Sequence, residues 1–505
     1  MAARYEPKDV DEITAAQESP SGISTPTESS ELDDNYHLYK RSDEQELDHA
    51  ESKRVLRKLD LRIVPILFLI YLLQYLDKNG INYASVYGLQ KGTHLKGQDY
   101  SWLGSIFYFG YLWAQYPAGY LLQRLRIGKV IGFTTIIWGI ILITTPACTT
   151  FAGIAVNRFL LGSFEAVINP GFILIMSIWY TAAEQPLRLE SYYCTNGVAT
   201  MFGGLIGYAV GHITTGLPRW MYVFLIFGSI SIALGIVSLF ILPDLPSTAK
   251  FLTEDEKVIA AKRVSANRQG IKNHHFKKYQ MWQTFRDPKT WILFVMATGA
   301  QIPNAAITQF TSLVIASFNV DTLGTQYLQI PGGAIQFLAL IGGGIVCSRW
   351  PNLRCITMII ANTICITGAA LLVGLPDSNK WGRLGLGFSM SLTMVSSNVA
   401  GYTKKQLTAA ILFTGYCVGN IIGPQTFKTS EAPAYHSAYI AMLIGYIVKL
   451  VSVIVLYVYM YLVNKKRDRE AAAAGVVDAD EEKHAIELGM HDVTELDNKG
   501  FRYTL

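Results

Sequence analysis

The sequence predicts an all-α membrane protein with twelve transmembrane helices in two six-helix bundles. Two observations carry this prediction. The apolar residues are grouped in blocks of roughly 20, the helix length that crosses about 30 Å of hydrocarbon. Charged residues make up only 16% of the 505 residues, and 50% are hydrophobic, whereas soluble domains carry about 25% charged residues. This composition excludes an ordinary soluble enzyme and excludes disorder over most of the chain.

The apolar blocks begin after a polar stretch at 1–60, which has no apolar region behind Met1 and is typical of a disordered tail without a cleaved signal. The first six blocks lie near 61–84, 100–122, 127–145, 151–179, 189–213 and 220–242. The last six lie near 290–317, 324–347, 354–375, 382–400, 405–427 and 435–463. The weak block at 382–400 leaves a count of eleven open.

Polar segments divide the blocks into two groups of six. We expect a cytoplasmic tail at 1–60, a first bundle at 61–243, a cytoplasmic linker at 244–289, a second bundle at 290–463 and a cytoplasmic tail at 464–505. Neither tail has the composition of a folded domain. Paired halves are common in transporters, which bind substrate between the halves near the bilayer midplane.

Lysine and arginine residues predict the orientation. They cluster before the first block, at 53–62, and after the last, at 465–469, as well as in the loops on the same side. The other loops hold few of them, so the positive-inside rule places both termini in the cytoplasm. We expect the plasma membrane, although no targeting signal distinguishes it from the endoplasmic reticulum or the vacuole.

Charged residues interrupt two apolar blocks of the first half: Asp77 and Lys78 in the first block, Arg158 and Glu165 in the fourth. A charge at the bilayer centre costs about 2.5–3.5 kcal/mol on insertion scales, so such residues usually face a cavity. Arg158 and Glu165 lie two helical turns apart on one face. A buried carboxylate beside a basic group can bind and release a proton when its partner moves, as a proton-coupled carrier requires.

Each of these charges also has a purely structural explanation. Asp77 and Lys78 precede Asn-Gly and could form a solvated helix end. Arg158 could extend its head group to the outer surface of the protein. Glu165 could form a salt bridge with Arg158, which is compatible with proton handling.

The apolar blocks of the second half carry amides and hydroxyls. These are Gln301, Asn304, Gln309, Gln336, Ser396, Ser397, Asn398 and Asn420. Together they could bind a polar substrate, whereas each one taken singly is more often a helix–helix hydrogen bond. Glycines recur every four residues at 203–211 and at 415–423, which permits close helix approach for static packing or for sliding.

Short motifs in a fixed order resemble the major facilitator superfamily and, within it, the fungal allantoate permease family of anion:cation symporters. They are YLDKN at 75–79, NRFLLGSFEA at 157–166 with Pro170-Gly171, LPDLP at 242–246 before FLTEDE at 251–256, GYTKK at 401–405 and GNIIGPQ at 419–425. The resemblance covers residues 55–465. The chain departs from the superfamily pattern between the second and third blocks, where Gln123-Arg124 stands in place of Asp-Arg, and this puts gating by an aspartate there in doubt.

The resemblance implies the major facilitator fold and import of a small organic anion with protons by alternating access. Family substrates include allantoate, ureidosuccinate, nicotinate, pantothenate and short peptides. It implies proton coupling at Asp77 and Glu165, with Lys78 as the anchor for a substrate carboxylate and Arg158 as a gate or second anchor. Asn196, Ser397 and Asn420 follow by relative position. With the amides above, the predicted substrate-binding residues are Tyr75, Lys78, Arg158, Asn196, Gln301, Ser397 and Asn420.

Other functions stay open on the sequence alone. The chain could export a metabolite or drug, or it could be a nutrient sensor that keeps a carrier fold. An enzyme is not expected, because HExxH, GxSxG and Walker A patterns are absent from the sequence. The six cysteines form no CxxC pair, so we expect membrane-core residues and neither metal nor cofactor. The expected partners are a small carboxylate, protons and lipid, without nucleic acid, for a chain that acts as a monomer.

Overall fold

The computed structural model describes residues 49–181, 184–265, 278–317, 320–350, 354–374, 402–432, 435–474, 494–498, 500 and 502–503. These residues form helices and connecting turns, and they contain no strand. The α-helices are α1 (His49–Ser85), α2 (Leu89–Gly92), α3 (Asp99–Arg124), α4 (Ile127–Thr144), α5 (Phe151–Glu165), α6 (Ile168–Trp179), α7 (Gln185–Tyr193), α8 (Thr195–Gly211), α9 (Arg219–Ile241), α10 (Glu254–Ser265), α11 (Lys278–Arg286), α12 (Pro288–Ser317), α13 (Thr322–Tyr327), α14 (Gln329–Arg349), α15 (Arg354–Gly374), α16 (Tyr402–Gln425) and α17 (His436–Ala474). The predicted block at 382–400, which includes Ser397, lies outside the described residues.

The long helices pack in two bundles, as predicted. In the first bundle, α1 to α9, helix α4 packs along α9 and α3 packs along α5. In the second bundle, α12 to α17, helix α12 packs against α16 and α17, and α15 packs on α17. The bundles meet where α8 contacts α14, α3 contacts α16 and α1 contacts α12. We call the end that holds His49 and Pro288 the tail end, and the end that holds the loops at 86–98 and 426–432 the far end.

Seven helical segments among the described residues are long and apolar enough to cross a membrane. They are Ala50–Ser85, Ile127–Ala147, Phe151–Trp179, Arg219–Ile241, Pro288–Ala316, Leu407–Gln425 and His436–Glu470. Apolar side chains also face outward, since Trp113 and Tyr116 of α3 and Phe240 of α9 are 65%, 72% and 83% exposed. Lipid is the solvent that such a surface requires. The all-α membrane fold is therefore confirmed, and the count of twelve spans stays a prediction.

Three of the predicted blocks are divided by a break, including 324–347, which forms α13 and α14 with Leu328 between them. Residues 151–179 form α5 and α6, with turn residues Ala166 and Val167 between them. Pro170 stands in the first turn of α6 and has no N–H to donate to the carbonyl of Ala166, so the ladder of helix bonds is interrupted there. The break makes Glu165 the last residue of α5. Residues 189–213 are divided in a similar way at Cys194, between α7 and α8.

The linker contains two helices that dock on different bundles. Helix α10 joins the first bundle through ion pairs at the tail end. Lys58 Nζ lies 2.5 Å from Glu256 Oε1, and Arg263 Nη2 lies 2.6 Å from Glu184 Oε1. Helix α11 instead contacts α16 of the second bundle. Each bundle thus holds the part of the linker that is nearest to it in sequence.

The predicted glycine series at 415–423 packs helices within the second bundle. A Cβ atom on Gly415, Gly419 or Gly423 would lie 2.5–2.7 Å from backbone carbonyl oxygens of α12. Backbone atoms cannot move aside as a flexible side chain can, so only glycine allows α16 and α12 to approach this closely. This series therefore packs two helices of one bundle, and whether the contact also slides stays a prediction.

The other glycine series, at 203–211 on α8, faces both bundles. A Cβ atom on Gly203 would lie 2.2 Å from the hydroxyl of Tyr83 on α1, and one on Gly207 would lie 2.6 Å from Gln326 Oε1 on α13. Six residues before Gly203 on the same helix, a Cβ on Gly197 would lie 2.5 Å from the carbonyl oxygen of Gly333 on α14. The face of α8 is thus a close contact between the two bundles, and whether it slides stays a prediction.

Candidate functional site

The predicted charges of the first half lie near one another inside the first bundle. The Glu165 carboxyl interacts electrostatically with Lys78, Asp77 and Arg158. Helix α1 supplies Asp77 and Lys78, and α5 supplies Arg158 and Glu165, which ends that helix. Their surroundings are apolar helix surfaces, so these charges act on one another in a medium of low dielectric constant.

Asp77 is fully buried, at 0% exposure, which excludes the solvated helix end. Its Oδ2 accepts a hydrogen bond from Ser231 Oγ of α9 at 3.0 Å. Its Oδ1 is buried without a hydrogen-bond partner. The side chain is therefore held on the α9 side of α1 by one donor and keeps one oxygen available.

Glu165 is also fully buried, and both of its carboxyl oxygens lack a hydrogen-bond partner. Gln74 reaches the same turn but donates to the backbone oxygen of Glu165, at 3.4 Å. Among the described residues, Glu165 and Arg158 form no ion pair, so the predicted salt bridge is not made in this conformer. Buried polar groups without partners are rare in native proteins, and a carboxyl in this state can gain or lose a proton without breaking a hydrogen bond.

The two cations of the site lie against aromatic rings. The guanidinium carbon of Arg158 is 5.5 Å from the centre of the Phe224 ring, and Arg158 is only 3% exposed. Extension of its head group to the outer surface is therefore excluded. Lys78 Nζ lies 5.7 Å and 5.9 Å from the ring centres of Phe107 and Tyr108. Such contacts stabilise a cation by about 0.5–2 kcal/mol and leave its charge available to an anion.

A small polar cavity lies between the bundles. Tyr75, Asn79 and Asn82 line it from α1. The second bundle contributes the side chains of Thr308, Thr311, Gln329 and Gln336. Tyr75 therefore lies where the sequence places it, in a cavity that both bundles share.

The amides that join the bundles in this cavity were not predicted from the sequence. Asn82 Nδ2 donates to Gln329 Oε1 at 3.2 Å, and Asn82 Oδ1 accepts from the backbone N–H of Ser312 at 2.8 Å. Gln329 Nε2 in turn donates to Ser312 Oγ at 2.9 Å. One signal was present in the sequence, because Tyr75, Asn79 and Asn82 recur at helical spacing and share one face of α1.

The predicted amides of the second half form a separate cluster. Gln301 Oε1 accepts from Asn304 Nδ2 at 2.9 Å and from Asn420 Nδ2 at 3.1 Å. These bonds join α12 to α16 within the second bundle, so Gln301 and Asn420 have the structural role that such residues most often have. Asn196 on α8 is half-buried, and its Oδ1 lacks a partner. The site in this structure thus joins Tyr75, Lys78, Asp77, Arg158 and Glu165 but not Gln301 or Asn420.

The bundles are joined at the far end of the cavity. Thr429 Oγ1 donates to the backbone oxygen of Gly97 at 2.6 Å, and Gln425 Nε2 donates to Ser105 Oγ at 2.9 Å. Between these points the rings of Phe310 and Phe427 stack with centres 4.0 Å apart. Polar bonds and stacked rings together close the cavity toward the far end.

Known proteins resemble this chain along most of its length. The sequence pattern of the Major Facilitator Superfamily matches residues 67–424. An uncharacterized transporter of Schizosaccharomyces pombe is 38% identical over 92% of this chain and 91% of its own length. The allantoate permease of Saccharomyces cerevisiae is 30% identical over 94% of this chain and 91% of its own. The thiamine pathway transporter THI73 of the same yeast is 34% identical over 90% and 87%.

Solved structures agree on the fold. The crystal structure of a D-xylose–proton symporter superposes with a TM-score of 0.58, covering 78% of this chain and 96% of that chain at 12% identity. An inward-facing bacterial homologue of the lysosomal transporter Spinster gives a TM-score of 0.55, covering 82% and 97% at 14% identity. The two-bundle fold and sequence matches of this length identify the family. The chain belongs to the Major Facilitator Superfamily of membrane transporters and, within it, to the fungal allantoate permease family.

Proposed function

We propose that the chain imports a small organic anion together with protons by alternating access. The observation that carries the proposal is Glu165, a fully buried carboxyl without hydrogen-bond donors, in electrostatic contact with Lys78. Lys78 lies one helical turn from Tyr75, which lines the cavity between the bundles, and it makes no ion pair among the described residues. A proton acceptor and an anion acceptor therefore lie at one site, which symport requires.

The coupling of proton binding to substrate binding follows from the balance of charge between Glu165 and Lys78. When Glu165 is protonated, the positive charge of Lys78 lacks a nearby compensating anion and attracts a substrate carboxylate. When the proton leaves, the Glu165 carboxylate competes with the substrate for the same cation. Anion and proton therefore bind together and leave together. Asp77 is the second proton acceptor and Arg158 the second anion contact in this scheme.

The substrate class rests on the cation and on the relatives. Lys78 favours an anionic group, and the amides and hydroxyls of the cavity favour a polar body. The name of one relative states that it carries allantoate, and that of another places it in the thiamine pathway. We therefore propose a small carboxylate of the allantoate, ureidosuccinate, nicotinate, pantothenate or dipeptide class. We also propose that the chain acts as a monomer in the plasma membrane with both termini in the cytoplasm.

The test is uptake of labelled small carboxylates by cells that express the protein, at about pH 5 and about pH 7.5. We expect one compound to enter faster at the lower pH in the wild type. Glu165→Gln should remove the pH dependence, because the amide cannot exchange a proton. Glu254→Gln is the matched control, since this carboxylate lies at the tail end with its side chain 76% exposed.

Two results would contradict the proposal. One is uptake by Glu165→Gln that keeps the pH dependence of the wild type. The other is a wild type that reaches the cell surface and takes up none of the compounds at either pH. The second result would favour export or a sensor role.

A further inference from the structure

A buried charge cluster lies at the tail end of the second bundle, away from the proposed transport site. Glu495 Oε1 lies 2.5 Å from Lys289 Nζ and 2.7 Å from Lys404 Nζ. Asp287 Oδ2 lies 2.7 Å from the same Lys404 atom. All four side chains are 0–1% exposed. Lys289 is the second residue of α12 and Lys404 lies in the first turn of α16. Glu495 is far from both in the sequence.

The chain around Glu495 is also bound to α11. Thr494 Oγ1 donates to Gln283 Oε1 at 2.8 Å. Gln283 Nε2 in turn donates to both carboxylate oxygens of Asp497, at 3.0 Å and 2.9 Å. Thr494 is 0% exposed, so its hydroxyl is enclosed by these contacts.

A second group of contacts binds the same stretch of chain to α17. Asn464 and Tyr503 exchange two hydrogen bonds of 2.9 Å between the amide side chain and the backbone. Arg467 Nη2 donates to the backbone oxygen of Glu495 at 2.6 Å. We call the described residues 494–498, 502 and 503 the tail segment. The tail segment connects α11, α12, α16 and α17 at one end of the second bundle.

The tail segment supplies an anion to two buried lysines. Without Glu495, Lys289 and Lys404 would both lose a carboxylate oxygen that lies within 2.7 Å of each ammonium group. Burial would raise the pKa of the Glu495 carboxyl, but attraction and hydrogen bonds from Lys289 and Lys404 outweigh burial and hold that pKa below its usual range. The carboxylate is therefore ionised at neutral pH, and mild acid does not release the segment.

We propose that the tail segment is an internal ligand of the second bundle and that phosphorylation of Thr494 releases it. The second bundle would then contain a binding site for an acidic peptide, which the end of the chain itself occupies. Lys289 and Lys404 bind the carboxylate, and Gln283, Asn464 and Arg467 bind the flanking chain.

A phosphate group on Thr494 is incompatible with docking of the tail segment. A kinase would transfer the γ-phosphoryl group of ATP to Thr494 Oγ1, forming one P–O bond, breaking the bond to ADP and releasing the hydroxyl proton. The phosphate adds about 1.5–2 negative charges. It would stand where the hydroxyl now lies 3.0 Å from Asp497 Oδ2, with no space open to solvent. The kinase acts on the fraction of molecules in which the segment is undocked, and the phosphate then prevents return.

Hydrogen–deuterium exchange on the purified full-length protein tests the proposal. We expect the peptide that covers 494–503 to be protected in the wild type. It should exchange about tenfold faster or more in Glu495→Gln, which removes the counter-charge, and in Thr494→Glu, which adds a charge in the enclosed position. Thr494→Val keeps the shape of the side chain without the charge and should stay protected. Glu470→Gln is the control. This glutamate lies near the end of α17, and its side chain is 54% exposed.

The docking of the tail segment and its release by phosphorylation can each be contradicted by a separate result. Exchange at the rate of a free peptide in the wild type would show that the segment is not docked. Equal exchange in Thr494→Glu and Thr494→Val, or protection in Thr494→Glu equal to the wild type, would remove the phosphate switch. None of these measurements depends on transport, so they stand apart from the test of proton-coupled import.

Discussion

At the residue scale, Asp77 depends on a single donor from another helix. Ser231 Oγ supplies that bond, so Ser231→Ala leaves a buried carboxyl with both oxygens unsatisfied. We expect a loss of about 1–3 kcal/mol of stability, seen as a lower thermal unfolding midpoint, together with reduced uptake. Ser238→Ala is the matched control, because Ser238 is equally buried on α9 and donates only to the backbone oxygen of Gly235. Equal effects of the two variants would contradict this role of Ser231.

Lys78 gives a second prediction at this scale. Its ammonium group is held against two aromatic rings and makes no ion pair among the described residues. If it binds the substrate anion, Lys78→Gln should raise KM for uptake by about tenfold or more, the loss of one charge-assisted contact. Lys78→Arg should recover part of the affinity, because the charge is kept. Unchanged KM in Lys78→Gln would remove Lys78 from the anion site.

Glu495 gives a prediction about pH. Because its folded-state pKa is depressed, its contribution to stability is fully present above the unfolded pKa and is lost as the pH falls through the folded value. The wild type should therefore exceed Glu495→Gln by a constant margin of about 3 kcal/mol between about pH 6 and 8. That margin should begin to shrink as the pH falls below the ordinary pKa of a glutamate, and it should vanish only below the depressed folded pKa. Thermal unfolding of both proteins across this range measures it, and a margin that changes near neutral pH would contradict the depressed pKa.

Some site residues could be predicted from the sequence and others could not. Charges in apolar blocks are conspicuous, so Asp77, Lys78, Arg158 and Glu165 could be picked out from the sequence, and their role in transport stays a prediction. Asn82 and Gln329 were missed because an amide at a helix interface is common, and only the packing of the two bundles brings them together. Glu495 was missed because the composition around it predicts an unfolded tail. Its partners, Lys289 and Lys404, lie far from it in the sequence, and only the fold brings the three side chains together.

At the element scale, helix contacts depend on where glycine leaves room. A Cβ on Gly419 would lie 2.5 Å from the carbonyl oxygen of Thr298, whereas a Cβ on Gly342 meets nothing within 4 Å. Gly419→Ala should therefore lower stability by about 1–3 kcal/mol through overpacking. Gly342→Ala should leave it unchanged or raise it by about 0.5–1 kcal/mol, since alanine favours a helix interior. Thermal unfolding compares the two, and equal midpoints would show that α16 and α12 can separate without cost.

Helix positions could be predicted better than helix breaks. Long apolar blocks placed α9 and α12 within two residues of their observed bounds. The interruption beside Glu165 was not predicted, although Pro170 signals it, because apolar composition continues through the break. Helices α10 and α11 were missed for the opposite reason. They lie in a polar stretch and are held by ion pairs and by contacts with the bundles.

At the scale of the whole molecule, the far end must open for alternating access. Gln98 and Thr429 face each other there, with 3.2 Å between Gln98 Oε1 and Thr429 Oγ1. A disulfide between cysteines at these two positions should abolish uptake after oxidation, and a reducing agent should restore it. Each single cysteine variant is the control for the native thiols. Full uptake by the oxidised, cross-linked protein would show that transport does not need this end to open.

The two docked linker helices have a consequence for how the protein could be assembled. Each bundle carries its own share of the linker, α10 on the first and α11 on the second. Residues 266–277 join the two helices in the sequence. The protein could therefore be encoded as two co-expressed fragments divided within 266–277, each inserting into the membrane separately and pairing with the other through the glycine face of α8.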